Sequence, residues 1–212
     1  MGKAKQGIFG GWVNKVGNVV ARVRQGQVVL SIYQPNVMNP RTQAQQSVRM
    51  KFTLLSRFMS ACLDFIRIGF QNLDGYKYGS PYSAAVGYNY KKNPFGGGYP
   101  NWELAYNNLI VAEGSLLLPY NPSASLDSNV LSLSWSDNSG EGNAKATDEM
   151  CVLVYNSDKG ISISDFEAGK RPDRSGTLNI PTAWNGDSIE VWLMATSETL
   201  NSNSFYLGSF TV

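Results

Sequence analysis

Histidine is absent from the 212-residue chain, and only two cysteines, Cys62 and Cys151, are present. Without histidine, the commonest general base and the commonest metal ligand are missing, so a catalytic triad or a zinc site needs a rarer set of residues. Cys62 falls near the apolar side of a predicted helix and Cys151 in a predicted strand. We interpret both as small buried hydrophobic residues, with a disulfide as the alternative. The sequence therefore predicts a protein that is not an enzyme and has no cofactor and no metal.

Long apolar runs and a signal-peptide pattern are also missing. The chain has no stretch of about 18 uninterrupted apolar residues, the length that a membrane-spanning helix needs. Its basic N-terminus lacks the apolar segment of a secretory signal. We therefore expect a virion or cytoplasmic location, with no membrane partner and no evident small-molecule substrate.

Acidic residues are absent from residues 1–63, which hold nine of the eighteen Lys and Arg. That third carries a charge of +9, and the remainder, with nine basic and sixteen acidic residues, carries −7. Such a split favours contact with nucleic acid or with the acidic part of another copy; a solvated surface without a role is the third interpretation. Six basic residues are the candidate assembly or polyanion contacts: Arg22, Arg24, Arg41, Arg49, Lys51 and Arg57.

The most regular pattern in the chain predicts one long amphipathic helix from Thr42 to about Asn72. Pro40 keeps the residue before it extended, and Thr42 with Gln45 forms a capping-box pattern, so both are candidate helix caps. A helix of roughly 40 Å needs packing partners along most of its apolar stripe, and contact between copies is one way to supply them. The stripe has helical spacing and comprises Ala44, Val48, Phe52, Leu55, Met59, Leu63, Ile66 and Phe70.

Residues 1–38 are predicted to form a basic, glycine-rich arm and a β-hairpin. Two β-rich runs, 18–24 and 27–33, flank Gln25-Gly26, a pair typical of a two-residue hairpin loop. In the first run an apolar face alternates with one that becomes basic. Because a lone hairpin is marginal in water, this hairpin needs another layer for support.

Residues 39–113 are predicted to contain the long helix and an aromatic segment rich in Gly and Tyr. Ser80-Pro81 predicts the start of a short helix, and residues 102–112 read as a strand. Packing under the long helix or at a subunit interface is one interpretation of the aromatic residues, and stacking on bases or sugars is the other. The candidate aromatic interface comprises Tyr82, Tyr88, Tyr99 and Trp102.

Residues 114–212 are predicted to form an immunoglobulin- or fibronectin type III-like β-sandwich, so the predicted fold class is α+β. Short alternating runs separated by turn signals indicate strands at 115–118, 129–135, 149–156, 161–166, 176–180, 188–197 and 204–212. Trp135 is the expected core anchor, and the missing disulfide favours the fibronectin-like variant. Four acids near one loop are interpreted as solvated turn residues, with calcium binding as the alternative: Asp137, Glu141, Asp148 and Glu149.

Motifs along nearly the whole chain resemble an uncharacterised family common in Bacteroidota. They include Gly7-Ile8-Phe9-Gly10-Gly11, Asn39-Pro40-Arg41-Thr42-x-Ala44-Gln45, Trp135-Ser136-Asp137-Asn138-Ser139-Gly140 and Trp184-Asn185-Gly186-Asp187. That resemblance implies the arm, helix and sandwich arrangement but no activity. The Asn39–Gln45 motif is also similar to one found in phage and prophage virion proteins.

Two functional hypotheses follow from these patterns. The first is a structural protein of a phage or phage-like assembly that self-associates through its N-terminal arm and long helix; opposite charge on the two parts favours head-to-tail contacts between copies. The second is a binding module, which takes nucleic acid through the basic third or carbohydrate through the sandwich loops.

Overall fold

The computed structural model describes residues 3–4, 12–24, 27–36, 39–71 and 79–212, with the backbone alone for residues 3, 4, 12, 13 and 24. The predicted Gly7–Gly11 opening and the Gln25-Gly26 loop lie outside the described residues. The fold is α+β, with antiparallel sheets. The chain divides into two compact units, residues 1–43 and residues 44–212.

One antiparallel sheet forms the N-terminal unit. The predicted hairpin is confirmed, because two of its strands pair from Val19 opposite Ile32 to Arg24 opposite Gln27. Residues 12–16, which we placed in the arm, add a further strand to the hairpin. The four strands lie in chain order: β1 (Lys3–Ala4), β2 (Trp12–Val16), β3 (Val19–Arg24) and β4 (Gln27–Ile32).

Two helices replace the single long helix that the sequence predicts. Helix α1 (Gln43–Ala61) begins directly after Thr42, and α2 (Leu63–Gly69) follows after a break at Cys62. Cys62 has φ −95° and ψ 22°, away from helical values. At this break the Ala61 carbonyl accepts a hydrogen bond from the Ser162 hydroxyl at 2.8 Å. A side chain about a hundred positions away therefore contacts the helix where its regular backbone is interrupted.

Only the later part of the predicted apolar stripe lies in the core. Leu55, Met59, Ile66 and Phe70 are buried, as the helical spacing predicts. The earlier part is not covered within the described residues: Val48 is 53% exposed and Phe52 is 51% exposed. Helix α1 thus extends about three turns beyond the core that holds its second half.

Helix α3 (Pro81–Lys92) confirms the short helix predicted at Ser80-Pro81, since the Ser80 hydroxyl accepts from the backbone N–H of Ser83 at 3.2 Å. A hairpin follows, formed by β5 (Phe95–Gly98) and β6 (Asn101–Leu104).

The strand predicted over residues 102–112 is wrong beyond Leu104. A 3-10 turn (Tyr106–Asn108) comes next. The buried Asn89 side chain then donates to the Ile110 carbonyl at 2.7 Å and accepts from the Ile110 N–H at 2.8 Å. Because this amide satisfies the backbone of Ile110, the apolar run needs no strand partner there.

Two antiparallel sheets follow in the second unit. The predicted strands from 129 onward are confirmed with ends shifted by at most one residue, except that the strand predicted at 161–166 continues to Lys170. The strand predicted at 115–118 is wrong, because Leu116 makes only an isolated bridge to Ser202. One strand was missed because Asn121-Pro122 reads as a turn; these residues lie at a bulge, where a sheet accepts proline. One sheet has the order β10-β9-β12-β13 and the other β11-β8-β7, with β7 (Tyr120–Asp127), β8 (Val130–Ser136), β9 (Glu149–Asn156), β10 (Ile161–Lys170), β11 (Ser175–Asn179), β12 (Ser188–Thr196) and β13 (Phe205–Thr211).

The sheet with the order β10-β9-β12-β13 is buried on both faces. On β9, Val152 and Val154 face a core shared with the three-stranded sheet, which includes Trp135, the expected anchor. The alternate residues Leu153 and Tyr155 face a second core, which contains α1, α2 and α3. Strand β9 therefore reads as an almost continuous apolar run instead of an alternating one.

A buried ion pair corrects the interpretation of Asp148 as a solvated turn acid. Its carboxylate lies 2.9 Å from the Arg171 guanidinium, and both side chains are fully buried. Arg171 also donates to the Asn138 side chain at 2.5 Å and to the Leu117 carbonyl at 2.8 Å. The pair thus ties the loop after β8 to the end of β10. Among the described residues, no group of three or more Cys, Asp or Glu is placed to hold a metal ion.

Candidate interaction surfaces

The N-terminal sheet has one apolar face on its described side chains. Residues directly opposite each other on paired strands share a face, and the register places eight described residues together. Of these, Ala21 is buried, whereas Leu30 is 53% exposed and Ile32 is 80% exposed. We call this set the apolar face: Asn14, Val16, Val19, Ala21, Val23, Val28, Leu30 and Ile32.

The opposite face of the same sheet is basic and is called the basic face. It carries Lys15, opposite Val20, and Arg22, opposite Val29. The Lys15 ammonium lies 3.4 Å from the ring centroid of Tyr33, a cation–π contact. Since residues 1–63 contain no acid, no carboxylate within this sheet neutralises Arg22. The sheet therefore presents chemically different surfaces on its two sides.

The first half of α1 carries a second apolar surface. Val48 and Phe52 lie one turn apart, so their exposed side chains form a stripe that continues the buried one. Met50 is also exposed, but at 100° per residue it lies about 160° around the helix from Phe52. Phe52 and Met50 therefore lie on opposite sides of the same helical segment.

Polar and aromatic contacts fix the β5–β6 hairpin to this half of α1. The Tyr99 hydroxyl donates to the Gln46 side chain at 2.6 Å, and the Trp102 indole N–H donates to the Ser47 hydroxyl at 3.1 Å. The Lys51 ammonium lies 3.9 Å from the Trp102 ring centroid. Three predicted site residues, Lys51, Tyr99 and Trp102, are thus brought together.

A broad groove of about 1390 Å³ lies beside this cluster. It is lined by residues of α1 between positions 52 and 61, by residues 102–104 of β6 and by the 157–160 turn. Arg57 and Trp102, both predicted site residues, line it together with the acids Glu103 and Asp158. Aromatic rings, hydroxyl groups and charges of both signs therefore line one broad, open groove.

Tyrosine hydroxyls in and next to the groove are held in their neutral form. Burial, followed by the negative charges of nearby groups, raises the pKa of Tyr106 to about 12. Tyr206, which like Tyr106 packs against Trp192, donates its hydroxyl hydrogen to the Glu190 carboxylate at 2.5 Å. Burial raises the pKa of Glu190 above its ordinary value, although hydrogen bonds from Tyr206 and Ser209 act in the opposite direction.

The remaining predicted contacts are spread over the chain. Arg41, whose φ is 49°, and the candidate caps Thr42 and Gln45 lie at the start of α1, and Arg49 is exposed one turn later. Arg24 ends β3, and its side chain lies outside the described residues.

Two of the predicted aromatic residues contact the helices of their own unit. Tyr82 has its hydroxyl 3.3 Å from that of Ser60 on α1. Tyr88 packs edge-on against Phe70, with ring centroids 6.3 Å apart.

Glu103 and Asp158 were not among the predicted site residues, and only their acidity in turn-rich segments gave any signal.

The interpretation of the cysteines is confirmed. Cys62 and Cys151 are both free and buried. Burial raises the pKa of each thiol to about 12. Neither thiol is therefore in the deprotonated form that nucleophilic chemistry requires near neutral pH.

The comparison with protein families places the chain. Residues 6–208 match the model of a family of unknown function, DUF6266, so the chain belongs to that family. This agrees with the resemblance to an uncharacterised family that the sequence motifs indicate. The comparison with curated proteins gives no match. Among the described helices, none combines the length and the apolar character that crossing a membrane requires.

Proposed function

We propose that the chain is a non-enzymatic structural protein that self-associates through its N-terminal unit and the first half of α1, as a component of a phage or phage-like particle. The observation that carries this proposal is the apolar surface left exposed outside the two cores, on the sheet's apolar face and at Val48 and Phe52. The sheet's apolar face is contiguous within its own unit, and a contiguous exposed apolar surface marks an interaction site. The virion-like motif at Asn39–Gln45 supports the phage context.

The charge distribution supports contact between copies. Residues 1–63 contain no acid, whereas the rest of the chain carries a net negative charge. Copies arranged head to tail bring opposite charges together, and such contacts give rings when they close and filaments when they do not.

We further infer that the two packed sheets of the second unit form a fibronectin type III-like β-sandwich. Support comes from the core that the two sheets share, with Trp135 and Trp184 buried in it. Both cysteines are free, so no disulfide joins the sheets, which is the pattern of the fibronectin-like variant.

The proposal is tested by sedimentation velocity of the full chain over a hundredfold concentration range at moderate salt. We expect larger species as the concentration rises, and weaker association for Phe52→Lys. Met50→Lys is the matched control, because it adds the same charge on the opposite side of α1. A wild-type chain that stays monomeric throughout contradicts the proposal.

A polyanion- or carbohydrate-binding module is the second candidate function. The basic face, with Lys15 and Arg22, favours nucleic acid, and the groove lined by Trp102 and Arg57 favours a carbohydrate. If duplex DNA binds, its affinity falls steeply with salt as counterions are released. The variant Arg22→Gln reduces the slope of that dependence by about one charge, and salt-independent or absent binding removes the nucleic-acid branch.

A further inference from the structure

We propose that two copies of this chain stack the apolar faces of their N-terminal sheets against each other, with both basic faces turned outward. This inference rests on the proposed self-association and adds to its head-to-tail contacts a two-fold contact with a second copy of the same chain. It begins from the register of β2, β3 and β4, which puts seven apolar side chains and Asn14 on one side.

The apolar face carries no charge that a partner would have to neutralise. None of its eight described residues is ionisable, so pressing two such faces together places no charge in an apolar environment. Removing charges from water without a partner is what opposes most chance contacts between protein surfaces. A second copy therefore fits the face without any compensating group.

The basic face excludes the alternative stacking mode. Placing Lys15 and Arg22 of one copy against those of another brings like charges together with no acid in either sheet. Like-charge contact disfavours that arrangement and leaves the apolar one. The same sheet thus carries the apolar face that contacts the second copy and the like charges that disfavour stacking through its other face.

Exposure along the face defines the part that a second copy can cover. Ala21, in the middle of the central strand, is already buried, whereas Leu30 directly opposite it on β4 is 53% exposed and Ile32 is 80% exposed. In a two-fold arrangement, these exposed side chains of β4 pack against the apolar face of the other copy, and paired sheets then lie about 10 Å apart.

The size of the face determines how tightly the copies associate. Three strands of about six residues cover roughly 300 Å² per sheet, from about 3.3 Å per residue and about 4.8 Å between strands. A standard stable interface covers about 800 Å² per partner. We therefore expect a reversible pair whose population rises with concentration.

The experiment compares Leu30→Lys with Val29→Lys in the full chain by sedimentation velocity. Val29 is the matched control, because it is 48% exposed on the adjacent position of the same strand but lies on the basic face. We expect Leu30→Lys to weaken association at least tenfold and Val29→Lys to change it less than threefold. Equal behaviour of the two variants overturns the stacking and leaves the proposed self-association standing. A monomeric wild-type chain overturns both.

A second measurement does not depend on adding charge to the sheet. Because Cys62 and Cys151 are buried, a single introduced cysteine is the reactive thiol. A short bis-maleimide is expected to join two copies through Leu30→Cys, which faces the partner, and to leave Val29→Cys uncrosslinked. Crosslinking of Val29→Cys with equal yield contradicts the face-to-face arrangement, as does the absence of any Leu30→Cys product in samples that associate.

Discussion

Replacing Arg171 by Met is expected to destabilise the second unit by about 3–5 kcal/mol, the usual cost of removing one partner from a buried ion pair. The substitution leaves the buried Asp148 carboxylate without its cationic partner, with the Lys145 backbone N–H as its remaining hydrogen-bond donor at 2.8 Å. It also removes the donors to the Asn138 side chain and the Leu117 carbonyl. A loss of this size is a large part of the 5–15 kcal/mol that typically stabilises a folded protein.

The assay is equilibrium unfolding in urea, followed by tryptophan fluorescence, with the slope of the transition checked for two-state behaviour. Adding Asp148→Leu to Arg171→Met removes the uncompensated charge, so the double variant is expected to be more stable than the single one. The control is Asp64→Asn, which breaks the exposed Arg67–Asp64 pair and is expected to cost less than about 1 kcal/mol. If Arg171→Met costs no more than this control, the pair does not anchor the loop and the reasoning fails.

Three further outcomes are expected. Burial raises the pKa of Glu190, so the native state keeps this proton to a higher pH than the unfolded chain does. The free energy of unfolding therefore falls as the pH rises above the ordinary value of 4.5. In urea unfolding, Glu190→Gln should be more stable than wild type at pH 7 but not at pH 4. Cys62 and Cys151 should react with a thiol reagent only after denaturant is added, and fast labelling of the native chain would contradict their burial. Arg49→Glu should reduce assembly in sedimentation while leaving the circular dichroism spectrum unchanged, and unchanged assembly would show that Arg49 is not a contact between copies.

Local patterns predicted the elements that depend on nearby residues. Ser80-Pro81 marked the start of α3 because capping needs only the next few residues. The strand from Glu149 to Asn156 was predicted with the bounds that the structure gives, because a long apolar and β-branched run between turn signals has few alternatives.

Features that depend on distant residues were not predictable from the sequence. The apolar period continues across Cys62, so the helix break becomes visible only when Ser162 is placed beside Ala61. Likewise, local sequence predicts that Asp148 is a solvated turn acid, because Arg171, its partner in the core, lies 23 positions later.

The candidate surfaces show the same division. Alternation along β3 predicts an apolar side and a basic side from the sequence alone, since the period of a strand is two. The groove was not foreseen, because Glu103 and Asp158 belong to segments whose approach to Arg57 is set by tertiary packing.

The burial of the four-stranded sheet on both faces has a consequence for how the second unit can be divided. Strands β9 and β12 contribute alternate side chains to the helical core and to the core between the sheets, so opening either core uncovers a face of the same strands. Local unfolding is cheap only where few buried contacts are lost. Amide hydrogens of these two strands should consequently exchange only in the global unfolding of residues 44–212. A chimera made from two related chains should take all of residues 44–212 from one parent. A junction between the helices and the strands would leave the shared sheet with one mismatched core.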